Sequence, residues 1–250
     1  MKHTIKILTG LTLLLSANLS SAQVRVDTLN YEDTTIVMDA AEHLIIGMGN
    51  DIWMDAPDNG DIRAYNPSFV FSALYDVPLG NSRLSFASGL GLQSNNLYNG
   101  AFIRESDSIT GKMQFTDIAD SLDHSKYKLS TTYLEIPVEF RLRLGEDHQF
   151  TIAAGFKAGY VINSHTKYKG KPMTSSRAFT NNDKVKIKEH NIPALNDLRY
   201  TVTGRIAYKK WSLFAHYNLT PLFEEGKLVN SSGKAKDMYL ITAGFLFTAF

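Results

Sequence analysis

The 250-residue chain contains no cysteine. That excludes a disulfide framework, a thiolate metal site, a cysteine nucleophile and a lipid-modified cysteine anchor. Strong charge of one sign is also missing. The 26 Lys and Arg stand against 25 Asp and Glu. Nothing in that balance points to nucleic acid. Past the first residues no apolar run is long enough for a transmembrane helix. The seven histidines show no H-x-H or H-E-x-x-H spacing, which argues against a metal centre. There is no G-x-S-x-G and no phosphate-binding G-x-x-x-x-G-K, and no cofactor is expected.

The amino terminus reads as a secretory leader. Lys2, His3 and Lys6 precede a short apolar core from Ile7 to Leu15, and Ser20-Ser21-Ala22 offers a cleavage site before Gln23. The expected organisation is a signal peptide over residues 1–22, a periplasmic lead-in over 23–43 and one β-barrel domain over 44–250.

Tyr133 to Leu144 sets the pattern. Leu134, Ile136, Val138, Phe140, Leu142 and Leu144 alternate with Tyr133, Glu135, Pro137, Glu139, Arg141 and Arg143. A strand sends successive side chains to opposite faces, so one face is wholly apolar and the other charged. A membrane barrel turns the first to lipid and the second to its lumen. Eight such segments are expected: 44–54, 68–75, 84–97, 131–144, 149–164, 196–208, 211–219 and 237–250. The connections at 76–82, at 145–148 and at Lys209-Lys210 are short. Those at 98–130, 165–195 and 220–236 are long, polar and without period. Short periplasmic turns and longer external loops mark outer-membrane barrels. The expected fold is all-β, a single eight-stranded antiparallel up-and-down transmembrane β-barrel in the outer membrane of a Gram-negative bacterium.

Details follow from the same pattern. Gly47, Gly49, Gly89 and Gly91 fall on inward positions, where small residues suit a narrow lumen. Pro137 cannot donate a ladder hydrogen bond, so a bulge or gap is expected there. A bulge near Thr248 would bring Phe250 to the lipid face. Tyr75, Tyr98, Tyr133, Phe150, Tyr160, Tyr208, Trp211 and Phe250 lie near strand ends, as interfacial aromatic girdles do, although aromatics favour strands in any case.

Tyr133-Leu134-Glu135-Ile136-Pro137, Gly155-Phe156-Lys157-Ala158-Gly159-Tyr160 and Tyr217-Asn218-Leu219-Thr220-Pro221-Leu222-Phe223, with a terminal Phe250, resemble the small outer-membrane β-barrel proteins of Bacteroidetes, the broad group that includes the PorT-type proteins. The likeness spans roughly Leu44 to Phe250. It implies an outer-membrane barrel, mostly of no assigned activity, with PorT-type members acting in protein secretion. It also implies that Phe250 is the insertion signal read by the barrel-insertion machinery.

Candidate functional residues fall in two groups. Glu135, Glu139, Arg141, Arg143, Lys157, Arg199 and Arg205 take inward positions. Charges of both signs in a narrow lumen pair across strands and fill it. The alternative is a small polar pore. Between His165 and Leu195, Lys167, Lys169, Lys171, Arg177, Lys184, Lys186 and Lys188 outnumber Asp183 and Glu189. A hairpin with a basic face is expected above the membrane. It would meet lipopolysaccharide phosphates or an acidic partner, or simply serve as a solvated face. Asp123-His124 lies in an expected external loop, where membrane-barrel hydrolases keep catalytic groups, but two adjacent loop residues are outweighed by the plain polar-loop reading. The expected function is therefore non-enzymatic, structural or interacting through external loops, with outer-membrane lipid and a protein as candidate partners. The alternatives are a secretion-associated barrel component and a barrel binding a small apolar ligand, which would need an apolar interior.

Overall fold

Leu198–Tyr208 alternates exposed and buried at every residue, and Trp211–Asn218 does the same. The buried members are Arg199, Thr201, Thr203, Arg205, Ala207, Ser212, Phe214, His216 and Asn218. The exposed ones are largely apolar. This is the inverse of a soluble protein, and it runs round the whole molecule.

The computed structural model describes residues 41–57, 60–106, 111–117, 124–145, 149–170, 185–190, 192–230 and 232–249. The proposed leader and residues 23–40 lie outside these. The strands are β1 (Ala41–Met54), β2 (Pro67–Pro78), β3 (Leu84–Tyr98), β4 (Ala101–Glu105), β5 (Met113–Asp117), β6 (His124–Leu144), β7 (Phe150–Gly170), β8 (Val185–His190), β9 (Leu198–Tyr208), β10 (Trp211–Asn218), β11 (Leu228–Val229) and β12 (Tyr239–Thr248). Eight of them run in the order β6-β3-β2-β1-β12-β10-β9-β7, and β6 pairs with β7 to close the ring. Every pairing in the ring is antiparallel. The fold is a closed eight-stranded antiparallel barrel, as the alternation and loop lengths predict. Closure removes the sheet edges, which is what a strand protein needs in hydrocarbon.

The outer surface is an apolar band. Met48, Phe69, Phe140, Ile206, Leu213 and Phe245 are each more than half exposed. Exposed apolar surface on this scale has no place in water. Tyr75, Tyr160, Tyr208 and Trp211 are exposed at its edges, and Trp211 packs on Phe247 with ring centroids 5.1 Å apart. Tyr133 departs from the expected girdle: it is buried at an inward position. On β6, Val138 sits midway along the lipid-facing set from Leu134 to Leu142, whereas Leu142 is two residues from the strand end. Val138→Arg is therefore expected to cost about 2–4 kcal/mol and Leu142→Arg only about 0–1 kcal/mol. Urea titration in vesicles measures both. Equal costs would mean that the band is misplaced.

Two local expectations resolve differently. At Pro137 the β3–β6 ladder passes from Ser88↔Val138 to Gly91↔Glu135 without a change of register. The result is a gap and not a bulge, and Ser88 Oγ donates to the free Pro137 carbonyl at 3.0 Å. Gly89 faces the gap. A Cβ there would meet the Ala73 carbonyl oxygen at 2.0 Å, so the backbones approach too closely for any side chain. The register of β12 against β1 and β10 is constant up to Thr248. No bulge forms there, because both neighbours hold the strand in step. Phe250 itself lies outside the described residues.

The three long connections are more than polar loops. β4 and β5 pair antiparallel, and β11 joins β5 in parallel. β6 and β7 continue past the barrel, and β8 returns against the end of β7. Together these segments enclose a core of Leu97, Ile103, Met113, Phe115, Leu129, Phe223, Leu228 and Met238 among others. Burial of that surface holds the external segments together.

One irregularity sets the direction of the side chains on the outer half of β7. In the β6–β7 ladder Thr132 pairs with Asn163 but Tyr133 pairs with Val161. Ile162 is an extra residue, a β-bulge. Below it the even residues of β7, Phe150 to Tyr160, face outward. Above it Thr166, Tyr168 and Gly170 are buried, so the odd residues take the outward face.

Candidate functional site

Side chains that alternate inward from a closed eight-stranded barrel have almost no room. Here the lumen holds the buried acids Asp51, Asp76, Glu135 and Glu139 together with the buried cations Arg141, Lys157, Arg199 and Arg205. Among the described residues that are buried, the two signs balance at four each. They form two layers. In the outer layer Glu135 accepts from Arg199 and from Lys157 Nζ at 3.3 Å. Arg199 also donates to Asn95 Oδ1 at 2.6 Å and lies over the Tyr133 ring, 3.8 Å from its centroid. Asn95 Nδ2 and Thr242 Oγ1 donate to Asp51 at 2.9 and 2.6 Å. Lys157 also reaches Gln93 Oε1 at 3.4 Å and His216 Nδ1 at 3.5 Å.

In the inner layer Glu139 accepts from Arg205 at 2.9 Å and from Arg141 at 3.1 Å. Arg141 bridges to Asp76 at 2.9 Å. Arg143 also binds Asp76 but is only partly buried, at the periplasmic mouth. Beside these layers Ile45, Val70, Leu74, Phe214 and Leu246 make a small apolar cluster. A small cavity at the external end, between Trp53, Tyr133, Arg199 and Leu240, has about 10 Å³. That is room for one water at most. A buried ion is tolerated only with partners, and each of these acids has two or more.

All seven inward charges expected from the sequence thus point to the lumen. Sequence reasoning missed Asp51, Asp76, Gln93, Asn95 and His216. Asp51 shares parity with Gly47 and Gly49, a signal that could have found it. Asp76 reads as a turn residue in the sequence, but β2 runs on to Pro78.

The second region is the external wall. Here β3, β6, β7 and β8 make a four-stranded platform. Its inner face carries Tyr127 and Tyr168, both packed on Phe102 with centroids 5.1 and 5.5 Å away. Burial pushes the Tyr127 phenol up to about 12. Its outer face is basic. Register places Tyr98, Lys128, Lys167 and Lys188 in one row. Lys169 and Lys186 stand in the next, and Ser130, His165 and His190 in the one below. The His165 and His190 rings are 5.6 Å apart. Burial, with Lys188, Lys128, His190 and Lys167 around it, lowers the His165 imidazole to about 4. Lys171, Arg177, Asp183, Lys184 and Asp123 lie outside the described residues, and of His124 and Lys126 only the backbone positions in β6 are described.

The chain matches the family model described as outer membrane protein beta-barrel domain over residues 45–224. No curated protein matches it. Among solved structures it is similar to Ail, the attachment invasion locus protein of Yersinia pestis, at 13% identity and a TM-score of 0.33, covering 84% of this chain and 100% of that one. A second structure of Ail, in complex with the heparin analogue sucrose octasulfate, aligns at 12% identity and a TM-score of 0.30 with the same coverage.

Proposed function

We infer that this chain, which belongs to the outer membrane protein β-barrel domain family and resides in the outer membrane, is a non-enzymatic barrel that is sealed through its middle and works at its external surface. The observation that carries this is the paired, buried charge of the lumen. Asp76, Glu135 and Glu139 interlock with Arg141, Lys157, Arg199 and Arg205 across the strands, Asp51 is held by Asn95 and Thr242, and the small cavity between Trp53, Tyr133 and Arg199 at the external end has only about 10 Å³. An external core then covers the barrel's outer end. A pore would need an unfilled path, and an apolar-ligand barrel would need an apolar cavity.

The recognition surface is then what stands outside the bilayer. Within the family, the Tyr133–Pro137 motif supports grouping this chain with the Bacteroidetes barrels. A secretion-associated role for it would act through the external platform, since the lumen offers no route for a passing chain. Phe250 remains the proposed signal to the insertion machinery.

Planar-bilayer recording tests the sealed reading. The reconstituted barrel is expected to give no steady conductance. Ohmic, long-lived steps from the wild-type protein would overturn it.

A further inference from the structure

We propose that the outward basic face of the β3–β6–β7–β8 platform binds the phosphate groups of lipopolysaccharide in the outer leaflet. This rests on the barrel working at its external surface, and it names the partner.

Continuity of one face is the first argument. Along β6 the residues Leu142, Phe140, Val138, Ile136 and Leu134 face lipid. The alternation keeps Thr132, Ser130 and Lys128 on the same side further up, with Ser130 itself buried among its neighbours and Lys128 partly exposed. Six residues separate Leu134 from Lys128, about 20 Å along the strand and less in height because barrel strands tilt by about 35–45°. The lysines therefore stand laterally, on the lipid-facing side, about 15 Å above Leu134, at the level of the lipopolysaccharide headgroup. They do not point away from the membrane toward a partner in the medium.

The bulge is the second argument. A one-residue slip exchanges the two faces of a strand. Without Ile162, Lys167 and Lys169 would point into the external core and Tyr168 would face out. The extra residue turns the lysines to the side on which Phe156 and Tyr160 meet lipid.

Charge arrangement is the third. Lys167 lies directly between Lys128 and Lys188, and Lys169 lies opposite Lys186. Like charges facing each other across strands are unfavourable. On the described platform strands no position of this face holds an acid. Glu189 lies on the other face, by the aromatic cleft. For Lys167, Lys186 and Lys188 a fixed array of anions relieves such repulsion, and phosphates of a lipid headgroup supply one.

The test uses the mature full-length protein in vesicles of zwitterionic phosphatidylcholine, with and without purified lipopolysaccharide. Combined Lys167→Gln, Lys186→Gln and Lys188→Gln is expected to weaken lipopolysaccharide association at least about tenfold and to flatten its salt dependence. Enzymatically dephosphorylated lipopolysaccharide should bind the wild type as weakly as the intact lipid binds the variant. Lys209→Gln with Lys210→Gln, on the periplasmic turn, should change nothing. In the wild type, the imidazole titration of His165 should rise from about 4 when lipopolysaccharide offsets Lys128, Lys167, Lys188 and the neighbouring His190. Heat-modifiable migration checks that the barrel is folded. Should the triple variant not fold, Lys188→Glu alone is expected to lose binding several-fold. Unchanged binding by a folded variant, or equal binding of the dephosphorylated lipid, would overturn the proposal. Bilayer recording on the same vesicles separates the two readings. A conducting barrel with intact phosphate-dependent binding breaks only the sealed lumen, and a silent barrel with unchanged binding breaks only the lipid assignment.

Discussion

Glu135→Ala is expected to destabilise the barrel by about 3–5 kcal/mol. The carboxylate is 1% exposed and is the shared acceptor for Arg199 and Lys157. Removing it leaves two buried cations near each other with no counter-ion between them. Breaking one partner of a buried pair is costly because the remaining charge cannot reach water. Glu139 is already the shared acceptor of Arg205 and Arg141, so it does not replace the lost hydrogen-bonded partner of both cations. Urea unfolding in vesicles, followed by tryptophan fluorescence, gives the number. A second change, Lys157→Met, should restore part of the loss, and the double-mutant cycle measures the coupling. A cost below about 1 kcal/mol for Glu135→Ala would mean that water reaches the outer layer freely, and the sealed reading would fall with it.

The second large effect lies outside the membrane. Phe223→Ala is expected to cost about 3–5 kcal/mol, the usual range for emptying a well-packed aromatic site. Phe223 is 2% exposed. Its backbone is held by the bridge to Leu195 and by Asn196 Nδ2, which donates to its carbonyl at 2.9 Å. Neighbours Leu228 and Met238 are completely buried. The barrel below has its own pairing, so the loss should appear as local opening and not as global unfolding. Amide exchange at Ile103 and Phe115 is expected to accelerate by at least about a hundredfold, while Glu139 and Arg205 keep their protection. Uniform loss across the wall would mean that the external core and the barrel unfold as one unit.

How far the sequence carries can be judged from particular residues. The eight wall strands were legible because a period of two over eight or more residues, repeated eight times, is hard to produce otherwise, and because Lys209-Lys210 and Gly145 mark turns. Gly145 has a φ of 89°, a conformation open mainly to glycine. The inward direction of Glu135, Arg141, Lys157, Arg199 and Arg205 came from the same period. The external core was hidden for the opposite reason. β4 contributes Ala101 and Ile103, and β5 contributes Met113 and Phe115. Two apolar residues per strand do not make a period. Nor can a sequence announce that Ile162 is an extra residue. It is apolar and of the expected parity for the lipid face, and only its pairing partner reveals the slip. Asp76 was lost to the turn chemistry of the residues after it.

β6 and β7 are each 21 residues long, whereas β10 has 8 and β12 has 10. The two longest strands are neighbours, and β8 extends their side. The wall is therefore tall on one side and low on the other. A round barrel would look alike from every direction in the plane of the bilayer, but this one has a front and a back. Neighbours arriving along the tall side meet a basic shelf, and those arriving along β10 and β12 meet the exposed apolar residues Trp211, Leu213, Tyr217 and Phe245. Two copies touching back to back would leave both shelves open, and two touching front to front would bring lysines against lysines. Lateral crowding in the membrane thus acts on a directional object, whose low side is the one free to pack.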